Sequence, residues 1–190
     1  MSYNFGSGGL LGSRHKVFVS FHHGNDWSYR HAFEHIFATS YDIMVSKSVQ
    51  IDEIPEYLPT ETVRQKIRDE YLRDSTVTVV LVGAQTWQRK HVDWEIASSI
   101  RNTQNNPRSG LVGIILPSYP RNDPSKYRKH TIPPRLSDNI ECGFASVFNW
   151  TENPNTVQGW IHDAFQRRTR INPDNSYPTF ANNRSGGQWQ

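Results

Sequence analysis

The chain has 190 residues, enough for one domain with a sizeable core and terminal extensions. Its net charge of +3 is too small an excess to indicate nucleic-acid binding, and its single cysteine excludes an internal disulfide. Because no apolar run reaches the ~18 residues of a membrane span, we expect a cytoplasmic protein with neither nucleic acid nor membrane as partner.

The first part of the chain predicts alternating strands and helices. Residues 1–14 are glycine-rich and lack the basic and apolar regions of a signal peptide, so they predict a flexible arm. A strand is predicted over residues 16–21, followed by a helix with an apolar face. That face comprises Tyr29, Ala32, Phe33, Ile36 and Phe37. A short strand (42–45), a long loop (46–59) and a helix (60–73) are predicted next.

The stretch 75–101 has the clearest pattern in the chain. Residues 76–82 are β-branched and almost wholly apolar, which predicts a central strand covered on both faces. Val92, Ile96 and Ile100 then recur at a spacing of four residues, which predicts one apolar face of a helix. Glu95 lies off that face, just past the carboxyl end of the strand. Ligands bind at that edge of open α/β sheets, so Glu95 is the candidate catalytic residue.

The second half predicts two more strands, over residues 111–116 and 144–150, and a last helix that opens at Pro154. Between the strands, residues 118–138 read as a long loop with a basic cluster. Its members are Arg121, Lys126, Arg128, Lys129 and Arg135. The cluster is either a solvated surface or a grip for a pyrophosphate. Residues 172–190 are rich in Asn, Pro, Ser and Gly and predict a disordered tail, which leaves 15–171 as the domain.

The order of these elements predicts an α/β fold. Alternating strands and helices favour a three-layer sandwich around a five-stranded, mainly parallel sheet, in the flavodoxin-like order 2-1-3-4-5. A receiver domain is disfavoured because its third strand ends in a phosphorylatable Asp. Here that strand is followed by Gly83, Ala84 and Gln85.

Two motifs resemble a known family. The first is Lys-Val-Phe-Val-Ser-Phe-His at 16–22, followed by Asp26. The second is Val-Thr-Val-Val-Leu-Val-Gly-Ala-Gln-Thr-Trp at 77–87, followed by Trp94-Glu95-Ile96. Over residues 16–150 the chain resembles the TIR-like proteins of the Thoeris ThsB type, which act in bacterial anti-phage defence.

The resemblance implies an enzyme for which NAD+ is the substrate and not a bound cofactor. TIR enzymes cleave the bond between nicotinamide and ribose, and their glutamate, here Glu95, contacts the hydroxyls of that ribose. ThsB-type members release a cyclic ADP-ribose isomer or a related ADP-ribose messenger, which activates a separate effector. An enzyme of this kind must be held inactive before infection, so a phage-derived trigger or homo-oligomer assembly is expected. Within the 46–59 loop, Asp52, Glu53 and Glu56 are candidates for the gate.

The chemistry requires little besides one carboxylate. Nicotinamide leaves as a neutral molecule and needs no acid, whereas the oxocarbenium-like ribosyl cation needs a nearby negative charge. A charged Glu95 would supply it. The other interpretation of Glu95 is a solvated glutamate near the positive end of a helix dipole.

Six further residues are candidates for substrate binding: Ser20, Phe21, His22, Asp26, Trp87 and His91. Ser20 and Phe21 end the first strand at the same edge as Glu95. Asp26, like Asn25, is equally a candidate helix N-cap, and Trp87 is equally a core residue. His91 occupies a position that is often Trp in related enzymes, and it either stacks on nicotinamide or pairs with Glu95. No metal site is expected, because adjacent histidines at 22 and 23 diverge and no cysteine or carboxylate pattern completes them.

The alternative to an enzyme is a non-catalytic TIR-like module that recruits other proteins through its long loops. The feature that favours the enzyme is Glu95 with its flanking aromatic residues.

Overall fold

A five-stranded parallel sheet forms the centre of the protein. The structure is a computed structural model and describes residues 14–47, 62, 65–104 and 106–190. The strands are β1 (His15–Ser20), β2 (Met44–Ser46), β3 (Val77–Val82), β4 (Gly110–Ile115) and β5 (Ala145–Asn149). They lie in the order β2-β1-β3-β4-β5 and every pairing is parallel, which confirms the predicted α/β fold and strand order.

Four α-helices flank the sheet in the described part of the chain: α1 (His23–Glu34), α2 (Lys90–Ser99), α3 (Pro134–Glu141) and α4 (Pro154–Arg170). α1 continues into a π-helical turn (His35–Ser40), and a second π-helical turn (Ile67–Tyr71) precedes β3. Most of the 46–59 loop, most of the first half of the predicted 60–73 helix and nearly all of the N-terminal arm lie outside the described residues.

The core has two halves, one on each face of the sheet. Alternate residues of β3 serve the two halves, because successive side chains of a strand point to opposite faces. Val79 and Leu81 pack with residues of α1 and α4, whereas Val80 and Val82 pack with residues of α2 and α3. The three-layer arrangement follows from this alternation, and it places α2 and its Glu95 beside the carboxyl ends of β1 and β3.

The structure corrects two local predictions. The N-cap of α1 is neither Asn25 nor Asp26 but His22, whose Nδ1 accepts a hydrogen bond from the Asn25 amide at 3.2 Å. The 118–138 stretch is not wholly irregular, since α3 begins within it at Pro134. Proline suits the first helical position, where its missing N–H has no intrahelical partner, so Pro134 marks a helix start and not a loop.

The C-terminal residues differ from the expected disordered tail. They form neither helix nor strand, yet Phe180 and Trp189 are 4% and 7% exposed. The Trp189 indole N–H donates to the carbonyl of Ile132 at 2.7 Å. Composition conceals these two apolar anchors among many polar residues. The division of the chain at residues 14 and 171 remains a prediction.

Across the described residues, no helix combines the length and the apolar character needed to cross a membrane.

Candidate functional site

Glu95 lies in the middle of α2 with its carboxyl group buried. The residue is 2% exposed, and its Oε2 accepts a hydrogen bond of 2.5 Å from the hydroxyl of Ser20. Burial penalises the charged carboxylate and raises the pKa of Glu95 from 4.5 to about 8, although the Ser20 hydrogen bond opposes the shift. Near neutral pH this carboxyl is therefore mostly protonated in the conformation described.

Ser20 reaches Glu95 because it is the last residue of β1. The strand is buried on both faces, and Ser20 pairs with Val80 of β3 in the sheet register. The hydroxyl therefore stands at the carboxyl edge of the sheet, next to the helix that follows β3. Ser20 is fully buried, with 0% of its surface exposed. A strand end and a helix thus fix the two members of the pair.

Asp26 is the second buried carboxylate at this edge. Its Oδ2 accepts from the Thr86 hydroxyl at 3.3 Å and its Oδ1 accepts from the Ser118 hydroxyl at 3.2 Å. Burial raises the pKa of Asp26, and the two hydrogen bonds partly counteract it. Gly83 makes the approach feasible, since a Cβ at that position would lie 2.4 Å from both carboxylate oxygens. Asp26 therefore ties α1 to the loops after β3 and β4.

The end of β1 and helix α1 carry a cluster of aromatic rings and one arginine. The Phe21 ring stacks on His23 with centroids 4.2 Å apart, and the Arg30 guanidinium lies 5.1 Å from the Trp27 ring. Trp27 is 46% exposed. Trp27 presents a flat surface to solvent, whereas Arg30 is 9% exposed and its Nε lies 3.0 Å from the Glu34 Oε2.

Comparison with known families identifies the part of the chain that carries this site. The model of the family described as "Thoeris protein ThsB, TIR-like domain" matches residues 18–121, more than half of the chain. The chain belongs to this family. The match includes Ser20, Asp26 and Glu95 and ends before α3. None of the curated proteins compared with the chain matches it.

In this ThsB TIR-like domain the remaining predicted substrate residues have different surroundings. His22 is 7% exposed as the N-cap of α1, and its pKa is lowered first by burial and then by the nearby Arg89. Trp87 is only 3% exposed, so it packs in the interior. His91 meets the edge of the Trp94 ring with centroids 5.2 Å apart, one helical turn before Glu95.

The five residues of the basic cluster have different surroundings. Arg135 is 1% exposed and pairs with Asp93 on α2, with Nε 3.0 Å from Oδ1. Arg121 donates to the side chain of Asn149 at 2.7 Å, Lys126 lies 3.5 Å from Asp123, and Lys129 pairs with Glu141. Arg121, Lys126 and Arg128 line one surface pocket, so a pyrophosphate grip by these three remains a prediction.

Sequence reasoning missed three residues that shape the site: Thr86, Ser118 and Asp93. The first two are short polar residues in loops, where nothing in their spacing marks them as partners of Asp26. The role of Asp93 could not be predicted, because its partner Arg135 is 42 positions away in a segment predicted to be a loop. Within the described ranges, no group of three or more His, Cys, Asp or Glu could hold a metal ion.

Proposed function

We propose that this chain is an anti-phage signalling enzyme that cleaves NAD+ at the nicotinamide–ribose bond. The observation that carries the proposal is the buried Glu95 carboxyl, held by Ser20 at the carboxyl edge of the sheet within the segment that the family model matches. Its product is a cyclic ADP-ribose isomer or a related ADP-ribose messenger, and a separate effector responds to that messenger. NAD+ is the substrate and no resident cofactor takes part.

The proposed reaction begins with departure of nicotinamide. The electron pair of the C–N bond moves onto the pyridinium nitrogen, so neutral nicotinamide leaves and an oxocarbenium-like cation remains on the ribose. A nucleophile from the same ADP-ribose, or water, then bonds to that carbon and loses a proton. Ionised Glu95 stabilises the cation and contacts the ribose hydroxyls, and a preorganised charge in a dry site is effective in this role.

The burial of Glu95 supports a low activity in the resting protein. A carboxyl group that is 2% exposed is closed to substrate, and its pKa of about 8 leaves it mostly neutral near pH 7. Turnover therefore requires that groups covering Glu95 move, and contact with ionic substrate groups then favours the charged carboxylate. A phage-derived trigger or assembly with a second copy would supply the binding energy for that change.

The test uses the full chain with NAD+, with and without lysate of phage-infected cells. Products are identified by mass spectrometry, and nicotinamide release is followed in time. Glu95→Gln keeps the size of the side chain and removes the charge, so we expect a loss on the order of 10²–10³ in rate. Glu152→Gln, at an exposed glutamate, is the matched control and should behave as wild type. Nicotinamide release by Glu95→Gln at the wild-type rate would contradict the assignment.

The second candidate function is a non-catalytic interaction module. The same 2% exposure of Glu95 favours it, because a closed carboxyl does no chemistry. The two functions separate in the assay above: a module yields no nicotinamide with any infected lysate or at any protein concentration, whereas an enzyme does so once triggered.

A further inference from the structure

The last nineteen residues of the chain, 172–190, lie against the helix that carries Glu95. Four hydrogen bonds join this C-terminal segment to the backbone or side chains of α2, and the one to Asp93 is described with its ion pair below. The Asn175 side-chain amide donates to the carbonyl of Ala97 at 3.0 Å. The Trp94 indole donates to the carbonyl of Phe180 at 2.8 Å, and the Lys90 amide donates to the side chain of Asn183 at 3.0 Å. The segment thus contacts α2 along most of its length.

A buried ion pair between α3 and α2 stabilises the same contact. Arg135 on α3 and Asp93 on α2 have side chains that are 1% and 3% exposed. The Arg135 guanidinium also donates to the side chain of Asn175 at 2.6 Å and to the carbonyl of Tyr177 at 2.7 Å. The other oxygen of Asp93 accepts from the Phe180 amide at 3.0 Å. One guanidinium and one carboxylate therefore connect two helices and the C-terminal segment.

Buried aromatic rings also lie between the C-terminal segment and α2. Phe180 and Trp94 are 4% and 3% exposed, and the Arg184 guanidinium lies 4.1 Å from the centre of the Phe180 ring. Trp94 immediately precedes Glu95, and Asp93 lies two positions before it. A rotation of α2 about its axis that moved the Glu95 carboxyl would therefore have to break the contacts of both preceding residues.

We infer that Asp93, Arg135 and the C-terminal segment position Glu95, and that residues beyond the family match complete the site. The inference rests on the proposed function. Matching of the family model ends at residue 121, so α3 and the segment lie outside the matched part. A displacement of about 1 Å at a reacting group can cost about 10²-fold in rate, so the hold on α2 has a catalytic consequence. Asp93 and Arg135 act through Glu95 and touch no substrate.

The principal test is the double variant Asp93→Asn/Arg135→Met. Removing both charges together avoids leaving one of them buried and unpaired, which would itself unfold the region. The matched control is Lys129→Met/Glu141→Gln, which removes an ion pair between partly exposed side chains in the same part of the fold. Each protein is assayed well below its Tm for the kcat and KM of triggered NAD+ turnover. Hydrogen exchange of residues 90–99 and the NMR titration of the Glu95 carboxyl are measured in the untriggered full chain.

We expect the double variant to lose at least about 10-fold in kcat with KM within about 3-fold, because positioning and not binding is impaired. Its α2 amides should exchange faster, and the Glu95 titration midpoint should move from about 8 toward its ordinary value of 4.5 as water enters. The control should match wild type in every measurement. A folded double variant with unchanged α2 exchange and an unchanged Glu95 midpoint would overturn the inference.

A milder variant keeps the question answerable if the double variant does not fold. Asn175→Ala removes an exposed side chain that bonds to both Arg135 and the Ala97 carbonyl, so the fold should survive. We expect faster exchange in α2 and a smaller fall in kcat than in the double variant. If both the exchange and kcat stay at their wild-type values, the inference is overturned. If wild type itself never releases nicotinamide, the proposed function fails, whereas hydrogen exchange and the Glu95 titration still decide whether the segment positions α2.

Discussion

The hydroxyl of Ser20 donates a hydrogen bond of 2.5 Å to the carboxyl of Glu95, joining two residues that are 75 positions apart in the sequence. The contact links the end of β1 to α2 across the carboxyl edge of the sheet. It also lowers the pKa of Glu95 against the larger effect of burial, because a hydrogen bond donated to a carboxylate favours the ionised form.

Ser20→Ala should raise the pKa of Glu95 further above about 8, because burial would then act without the opposing hydrogen bond. The ionised fraction at a given pH falls, so the rise of kcat/KM with pH should move to higher pH than in wild type. The measurement is the pH profile of triggered turnover, together with NMR titration of the carboxyl in the untriggered protein.

Ser125→Ala is the matched control for this prediction. Its hydroxyl donates to the carboxylate of Asp123 at 2.7 Å, but the site is on the exposed surface. The substitution should leave the Glu95 titration unchanged. An equal midpoint for Glu95 in wild type and Ser20→Ala would show that the hydrogen bond has no influence on its charge.

Burial of Glu95 also predicts how stability depends on pH. Its pKa is about 8 in the folded chain against an ordinary value of 4.5, so the folded state binds the proton more tightly than the unfolded state. The resulting stabilisation is complete below about pH 4.5 and is lost as the pH rises through about 8. Glu95→Gln cannot ionise and should lack this loss.

The measurement is Tm from about pH 5 to 9 for wild type and Glu95→Gln. The Tm of Glu95→Gln minus the Tm of wild type should increase as the pH rises, even if the variant has the lower Tm at acid pH. Parallel curves would contradict the raised pKa. Comparing the two proteins removes the contributions of other titrating groups, which both share.

Much of the fold could be predicted from local patterns. β3 is a continuous β-branched run, and the Val92–Ile96–Ile100 spacing marks the buried face of α2, so sheet order and the edge that carries Glu95 followed. α3 was not predicted, because the prolines of residues 118–138 favour a loop and Pro134 is itself the first residue of the helix. The Asp93–Arg135 pair depends on the packing of α3 against α2, which no local pattern records.

The C-terminal segment shows a different limit of sequence reasoning. Its composition is that of a chain that cannot bury enough apolar surface to fold alone. It gains order by placing Phe180 and Trp189 on surfaces that the rest of the protein supplies. Such docking leaves no periodic pattern, because the segment follows the shape of its neighbours and not that of a helix or strand.

Trp189→Ala should therefore destabilise the protein. The ring is 7% exposed and its N–H donates to Ile132, so truncation leaves a cavity and removes a hydrogen bond. Core Trp→Ala changes cost about 3–5 kcal/mol, and we expect about half of that or more for this segment, since its end can partly relax. Trp27→Ala, at a ring that is 46% exposed, should cost far less.

The measurement is urea unfolding of the full chain. A midpoint for Trp189→Ala equal to that of Trp27→Ala would mean that the C-terminal segment adds no stability to the domain. Trp189→Phe should recover part of the loss, because it keeps most of the apolar contact but not the hydrogen bond.

Gly83→Ala should disrupt the site through Asp26. A Cβ at position 83 would lie 2.4 Å from both carboxylate oxygens of Asp26, so the carboxylate must leave its hydrogen bonds with Thr86 and Ser118 or the loop after β3 must shift. Either outcome uncouples α1 from the loops at the carboxyl edge, and we expect a loss of about 1–3 kcal/mol in the free energy of unfolding.

Gly159→Ala is the matched control, because nothing lies within 4 Å of its added Cβ and the position is exposed in α4. That change should stabilise the helix by up to about 1 kcal/mol. The check is urea unfolding of both variants, with the chemical shift of the Asp26 carboxyl as a local probe. The close packing of Gly83 on Asp26 is refuted if Gly83→Ala keeps both the wild-type stability and the wild-type Asp26 shift.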